Sequence, residues 1–206
     1  MYVPPQFSFA EQAEVVSFMQ RFNFAAIVSQ VDEHLFATHL PFVVEETKTG
    51  GLRLLAHFAK ANPQWKNLET QTALVIFSEP HAYISPSLYE KEQNVPTWNY
   101  VAVHVYGAPR LLREEKAAFD LLEKQMHAFE KEYLEQWARL SQDYKNALVK
   151  GIVAFEMPVE KWEAKRKLSQ NKSSREQANV AAHLLENEDG AAREVGKMMR
   201  EIYAKS

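Results

Sequence analysis

The sequence predicts an α+β fold: an antiparallel β-barrel, closed or split, with peripheral helices and a helical C-terminus. Three observations lead there. Short apolar, partly β-branched runs follow one another at separations too small for a parallel crossover, which needs a dozen or more residues. One amphipathic helical stretch precedes these runs, and a longer helix-forming stretch interrupts them. Only 6 of the 206 residues are glycine, and neither GxGxxG nor GxxxxGK occurs, so a Rossmann or P-loop phosphate cradle is not expected. About six strands with exposed edges are best accommodated by closing the sheet on itself.

The elements follow in chain order. Ser8 with Glu11 three residues later forms a capping box and predicts a helix start. Val15, Phe18, Met19 and Phe22 recur at i, i+3, i+4 and i+7 on one apolar face, and the helix is expected to end near Asn23. Residues 24–30 (FAAIVSQ) read as a strand and 31–34 (VDEH) as a turn. Residues 35–46 (LFATHLPFVVEE) read as one strand, with Pro41 marking an edge or a bulge because it donates nothing to a ladder. TKTGG (47–51) is a hairpin turn and LRLLAHFA (52–59) the next strand. NPQWKNLE (62–69) is a short helix, Asn62 its N-cap and Pro63 its first residue.

Strands are expected at 72–78, 81–85 and 99–107, the run ALVIF being apolar enough for burial on both faces. From Arg113 to about Val149 helix formers dominate, with Phe119, Leu122, Met126, Phe129 and Tyr133 at helical spacing. GIVAFEMPVE (151–160) returns to strand, and 160–176 reads as a solvated basic loop. From about Ser173 the chain is helical again. SSRE supplies a second capping box, NEDG a break, and Val195, Met198, Met199 and Ile202 the apolar face of a last helix. With no internal repeat and no long linker, the chain is expected to be one domain, residues 1–206, with a helical extension over about 173–206.

Composition bounds the function. Apolar residues make up 46% and charged residues 25%, as in soluble globular proteins. The net charge of −3 lacks the basic excess that drives nucleic-acid binding through counterion release. No cysteine is present, which excludes disulfides, thiol nucleophiles, Fe–S clusters and cysteine zinc sites. HExxH and GxSxG are missing as well. The N-terminus has no basic-then-apolar signal pattern and no run approaches a membrane span, so a cytoplasmic location without membrane association is expected.

Three stretches join strand ends to polar side chains: 38–42 (THLPF), 56–65 (AHFAKANPQW) and 96–103 (PTWNYVAV). Alone, each has an ordinary reading. An aromatic at a strand end closes a core, a lone His39 or His57 is a packed histidine, and Lys60 is a solvated lysine. Together they say more. Lys60 stands two residues before a helix start, where free N–H groups and the helix dipole favour an anion. Trp98 and Tyr100 offer ring faces, and Thr97 and Asn99 can bond a heterocycle's edge. A flat, phosphorylated ligand fits this set.

The phrases ATHLPF, AHFAKANPQW, YISPSLY, PTWNYVAVHVYG and KLSQNKSSRE together resemble the PaiB-like FMN-binding negative transcriptional regulators, over nearly the whole chain and in the same order. That family is similar in fold to the flavin-binding split barrels of the pyridoxamine 5′-phosphate oxidase type. Leu88 stands where the family phrase carries tryptophan, and Lys60 where many relatives carry arginine. The resemblance implies a split barrel, an FMN cofactor and a homodimer. It implies FMN contacts from His39, His57, Lys60, Asn62, Thr97, Trp98 and Asn99. It also implies that 160–176 folds over the site with Lys167 or Lys172 near phosphate or substrate. The implied role is negative transcriptional regulation; the alternatives are an FMN-dependent oxidoreductase of small molecules and a module that stores or senses flavin. DNA enters as a partner by resemblance alone, and no catalytic or metal-ligating residue is expected.

Overall fold

A computed structural model describes residues 1–204. In chain order the elements are α1 (Gln12–Arg21), β1 (Phe24–Val31), β2 (His34–Pro41), β3 (Val43–Glu46), β4 (Leu52–Ala59), β5 (Ala73–Phe77), β6 (His81–Ile84), β7 (Thr97–Gly107), β8 (Arg110–Leu111), α2 (Glu115–Phe129), α3 (Tyr133–Arg139), α4 (Gln142–Lys150), β9 (Ile152–Pro158), β10 (Lys161–Lys167), α5 (Ser174–Leu185) and α6 (Gly190–Tyr203). Short 3-10 helices lie at Pro5–Phe7, Pro63–Thr70 and Pro86–Leu88. The chain forms two compact units: one from Met1–Val15, Ser78–Val103 and the stretch from Glu163 onward, the other from Val16–Phe77 and His104–Trp162.

The second unit holds antiparallel sheets. β1 pairs with β2 from Phe24↔Pro41 to Val31↔His34 and, on its other side, with β5. The β1–β2 turn places Asp32 and Glu33 at positive φ of 48° and 66°, the twist a two-residue hairpin needs. A second sheet runs β3-β4-β9-β8. Phe42, Phe58, Phe77 and Phe155 fill the core, the Phe58 and Phe155 rings stacked 5.0 Å apart. Ala118 and Leu121 of α2 and Val149 of α4 cover Val43, Leu55 and Ala154.

In the first unit, β6 pairs antiparallel with the start of β7, His81↔Tyr100 to Ile84↔Thr97, and β10 lies along β7. Helices α5 and α6 pack on each other and α6 on β6. Ser173 and Glu176 make the expected capping box at α5, and Val195 and Met199 of α6 are fully buried.

Several expectations are corrected. The first helix starts at Gln12, not at Ser8, whose backbone bridges to Lys165. Phe7 and Phe9 are both buried; two residues apart, they share a face only in extended chain. The run 35–46 is two strands: it breaks after Pro41, where the Phe42 N–H leaves for Asn23 O at 2.9 Å. β5 alternates buried and half-buried residues instead of being covered on both faces. The stretch 113–149 is three helices, and the buried stripe of α2 is Ala118, Leu121 and Gln125, one residue off the expected face.

The basic stretch 160–176 contains β10. Its charges hide a strand because two of them lie over aromatic rings: the Lys165 ammonium over Tyr100 at 5.1 Å and the Arg166 guanidinium over Phe9 at 4.9 Å.

Candidate functional site

In the second unit, β4 delivers the chain into the 3-10 helix Pro63–Thr70. Asn62 caps it as expected, its Oδ1 accepting from Gln64 N at 2.9 Å. The Asn62 amide also donates to Thr38 Oγ1 at 2.8 Å, and Thr38 donates to Gln64 Oε1 at 2.6 Å. Gln64 is fully buried and donates to Ile27 O and Ser29 Oγ. This network ties the helix start to β1 and β2. It also limits the helix start as an anion site. Pro63 has no N–H and Asn62 occupies that of Gln64, so fewer free donors remain than the sequence suggests. What remains is charge: the Lys60 side chain is exposed, while its carbonyl accepts from Trp65 Nε1 at 3.0 Å and its N–H donates to Gly151 O at 2.8 Å.

His57 projects from β4, and its Nδ1–H donates to Gln125 Oε1 at 2.8 Å. Burial lowers its pKa from the usual histidine value, against the opposing pull of that hydrogen bond. This is the packed, neutral histidine of the ordinary reading. His39 of β2 is exposed, its ring stacked on Phe24 at 6.0 Å.

In the first unit, the mouth of β7 sorts its side chains by strand alternation. Thr97 and Asn99 face one side and Trp98 the other. The unbroken β6–β7 register leaves no bulge to turn Trp98 and Asn99 the same way. Asn99 is fully buried; its amide donates to Ser169 Oγ at 2.9 Å and contacts Met199 Sδ at 3.6 Å. Ser169 sits at φ 68°, a left-handed conformation that aims its hydroxyl at Asn99. Lys167 donates to Thr97 Oγ1, and Lys172 donates to Asn94 Oδ1 at 2.6 Å. Burial, and next the neighbouring Lys165, hold the Lys167 ammonium below the usual lysine range. Thr97, Asn99, Lys167 and Lys172 thus line one pocket, with Tyr89, Asn94 and Ser169.

Trp98 is 52% exposed on the opposite face, with His81 at 5.8 Å and Tyr83 edge-on at 5.9 Å. Its ring is open to stack on a flat partner and does not plug a core. Sequence reasoning missed Gln64, Tyr89, Asn94 and Ser169. Tyr89 and Ser169 lie inside the phrases YISPSLY and KLSQNKSSRE, which signalled them without marking which side chains turn inward.

Chemically, both clusters are donor sets: lysine ammoniums, amides and hydroxyls that suit phosphate and the edge of a flavin. Among the described residues no group of three or more histidines, cysteines or acids is placed to hold a metal. Nor is any helix long and apolar enough to cross a membrane.

Comparison with known proteins agrees with this chemistry. Residues 1–161 match the family described as "Putative FMN-binding domain". The Bacillus subtilis protein named "Protease synthase and sporulation protein PAI 2" is 37% identical over 209 residues, spanning 100% of this chain and 99% of that one. Among solved structures, the flavocytochrome Anf3 of Azotobacter vinelandii superposes with a TM-score of 0.63 at 16% identity, covering 78% of this chain and 69% of that one. A FAD- and haem-binding protein of Mycobacterium smegmatis gives 0.63 at 13% identity, covering 85% and 79%. At these identities the two structures bear on fold alone, and the fold they share with this chain is the flavin-binding split barrel.

Proposed function

This chain belongs to the FMN-binding split-barrel family that includes PAI 2, and from that premise we propose that it is an FMN-binding regulatory protein, a negative transcriptional regulator of the PaiB type. The observation that carries the reading is the extent of the likeness to PAI 2. It runs over the whole chain, through α5 and α6 as well as the FMN-binding region that ends at residue 161. A shared flavin module alone would have left the C-terminal helices unmatched.

In this reading Lys60 supplies the charge for the FMN phosphate at the start of the 3-10 helix, and Asn62 holds that start in shape. His39 stands on β2 and His57 on β4, His57 held by its packing against Gln125. When bound, FMN supplies whatever redox chemistry occurs; the protein supplies position and electrostatics. The active species in this reading is a homodimer. A net charge of −3 disfavours tight binding to bulk DNA by one chain, so any operator contact draws on local basic patches of the dimer.

The test is direct. Purified protein titrated with FMN is expected to give a saturable flavin difference spectrum, and FMN is expected to bind more tightly than riboflavin. Deletion of the gene in its host is expected to raise transcripts that restoring the gene lowers again. Absence of any flavin spectrum ends the cofactor reading. An unchanged transcriptome with intact flavin binding ends the regulatory one.

A further inference from the structure

Helices α5 and α6 leave a groove beside their contact, wholly within the first unit. Ala178, Ala181, Ala182 and Leu185 of α5 line it with Arg200 and Tyr203 of α6, around a volume of about 570 Å³. Small-molecule sites span roughly 300–1,000 Å³. Every residue of the lining lies beyond residue 161, where the FMN-binding family match ends, and none belongs to the set assigned to the flavin.

The floor of the groove follows from the sequence of α5. Ala178 and Ala182 stand one helical turn apart, as do Ala181 and Leu185, so the four share a face. Ala178 and Ala182 are exposed, at positions where a solvated helix carries long polar side chains. Methyl groups there leave a recess, and its floor is apolar. On the α6 side the Tyr203 Oη donates to Leu168 O at 2.6 Å, which pins the ring in place.

Charge then selects the occupant. Arg200 is the one charged group in the lining, and no carboxylate joins it. The other three arginines of this unit are engaged. Arg166 meets Glu14 at 3.3 Å, Arg175 meets Glu90 at 3.3 Å, and Arg193 donates to the carbonyls of Asn187 and Glu188 at 2.7 Å. Among the described residues the Arg200 guanidinium has no such acceptor. Its planar fork of donors matches a carboxylate. One cation balances one negative charge and leaves a phosphate dianion half neutralised. The complement of an apolar floor beside a single guanidinium is a hydrocarbon body bearing a single carboxylate.

We propose that the α5–α6 groove binds a small apolar monocarboxylate, with Arg200 holding the carboxylate and the alanine floor holding the hydrocarbon. Because the ligand touches both helices, it ties them together, and its binding raises the Tm with concentration.

The experiment is calorimetric titration of the full chain, with and without saturating FMN, using octanoate, 3-phenylpropionate and octan-1-ol. One saturable site per chain is expected for the acids in both states, and the alcohol is expected to bind about tenfold more weakly than octanoate or worse. The tighter of the two acids assigns the body as aliphatic or aromatic. Arg200→Met is expected to weaken both acids about tenfold to a hundredfold and to leave the alcohol unchanged. Ala182→Phe fills the recess and is expected to weaken acids and alcohol alike, with FMN binding and the ligand-free Tm unaltered, because residue 182 faces solvent.

Four outcomes overturn the proposal. One is no saturable heat up to about 10 mM octanoate; if Ala182→Phe then also changes the sedimenting mass, the groove is an interface between copies of the chain. Another is alcohol binding as tight as that of the acid. The third is octanoate binding that neither variant alters, the mark of non-specific adsorption. The fourth is one-for-one displacement of octanoate by FMN, which makes the groove part of the flavin site. The titration without FMN keeps its meaning even if the chain binds no flavin, so this proposal and the flavin reading fail separately.

Discussion

Lys60 and His57 lie within one turn of chain, yet the structure gives them opposite characters. Lys60 keeps its ammonium in solvent. Lys60→Ala is therefore expected to weaken FMN by about tenfold to a hundredfold, the worth of one charge-assisted hydrogen bond, and riboflavin hardly at all. Equal losses for both flavins in parallel titrations would make Lys60 a structural residue.

His57 instead carries a pKa lowered from 6.5, chiefly by burial. The unfolded chain then binds more protons than the folded one below about pH 6.5, so stability rises with pH through that window and is fully present above it. The urea midpoint is expected to fall as pH drops from 7 to 5. His57→Gln, which removes the titrating group, should flatten that part of the slope; an unaltered slope would assign the acid sensitivity elsewhere. Asn99, read from sequence as a ligand-facing amide, is fully buried and bonded to Ser169. Its replacement tests folding as much as binding.

At the level of elements, α6 shows how packing reverses a local preference. Glycine in a helix interior costs about 1 kcal/mol relative to alanine, so Gly196→Ala would be expected to stabilise an isolated helix. Here a Cβ at Gly196 would meet Leu184 Cβ at 3.1 Å, Leu185 N at 3.1 Å and Ala181 O at 3.2 Å, two of them backbone atoms of α5 or its end. Neither helix yields without disturbing the α5–α6 contact. Gly196→Ala is therefore expected to destabilise by roughly 1–3 kcal/mol, read as a lower Tm. A raised Tm would show that α5 and α6 can separate freely. The same tight approach explains why this glycine sits mid-helix, where a sequence reading sees only a weak helix former.

For the molecule as a whole, the exposed apolar residues matter most. Phe24 and Leu35 are 64% and 77% exposed on β1 and β2, and β2 ends its sheet. Apolar side chains on an edge strand invite a partner, and a two-fold copy of the same chain is the simplest one. Sedimentation at micromolar concentration is expected to show a species of about twice the 23.7 kDa chain mass, and Leu35→Asp to shift it toward the monomer. A single species at the chain mass for the parent protein would end the dimer reading.

Spacing and residue type alone were enough for whatever depends on neighbours along the chain. Hydrophobic period and turn chemistry placed β1, β4, β7 and β9, the Asn62 and Ser173 caps and the buried face of α6, because caps and alternation are local. The phrases around Lys60, Trp98 and Lys167 marked the family and its cofactor. The features that long-range packing settled depend on partners far away in sequence. Ser8 looked like a cap, but the need to bury Phe7 and Phe9 together made it extended. β10 looked like a solvated loop, because nothing in a basic run says that the rings of Tyr100 and Phe9 lie beneath two of its charges. The sorting of Trp98 from Asn99 required knowing that the β6–β7 register is unbroken. The burial of Asn99 against Ser169 could not be read at all, since the two are 70 residues apart and sequence spacing carries no record of which side chains a fold brings together.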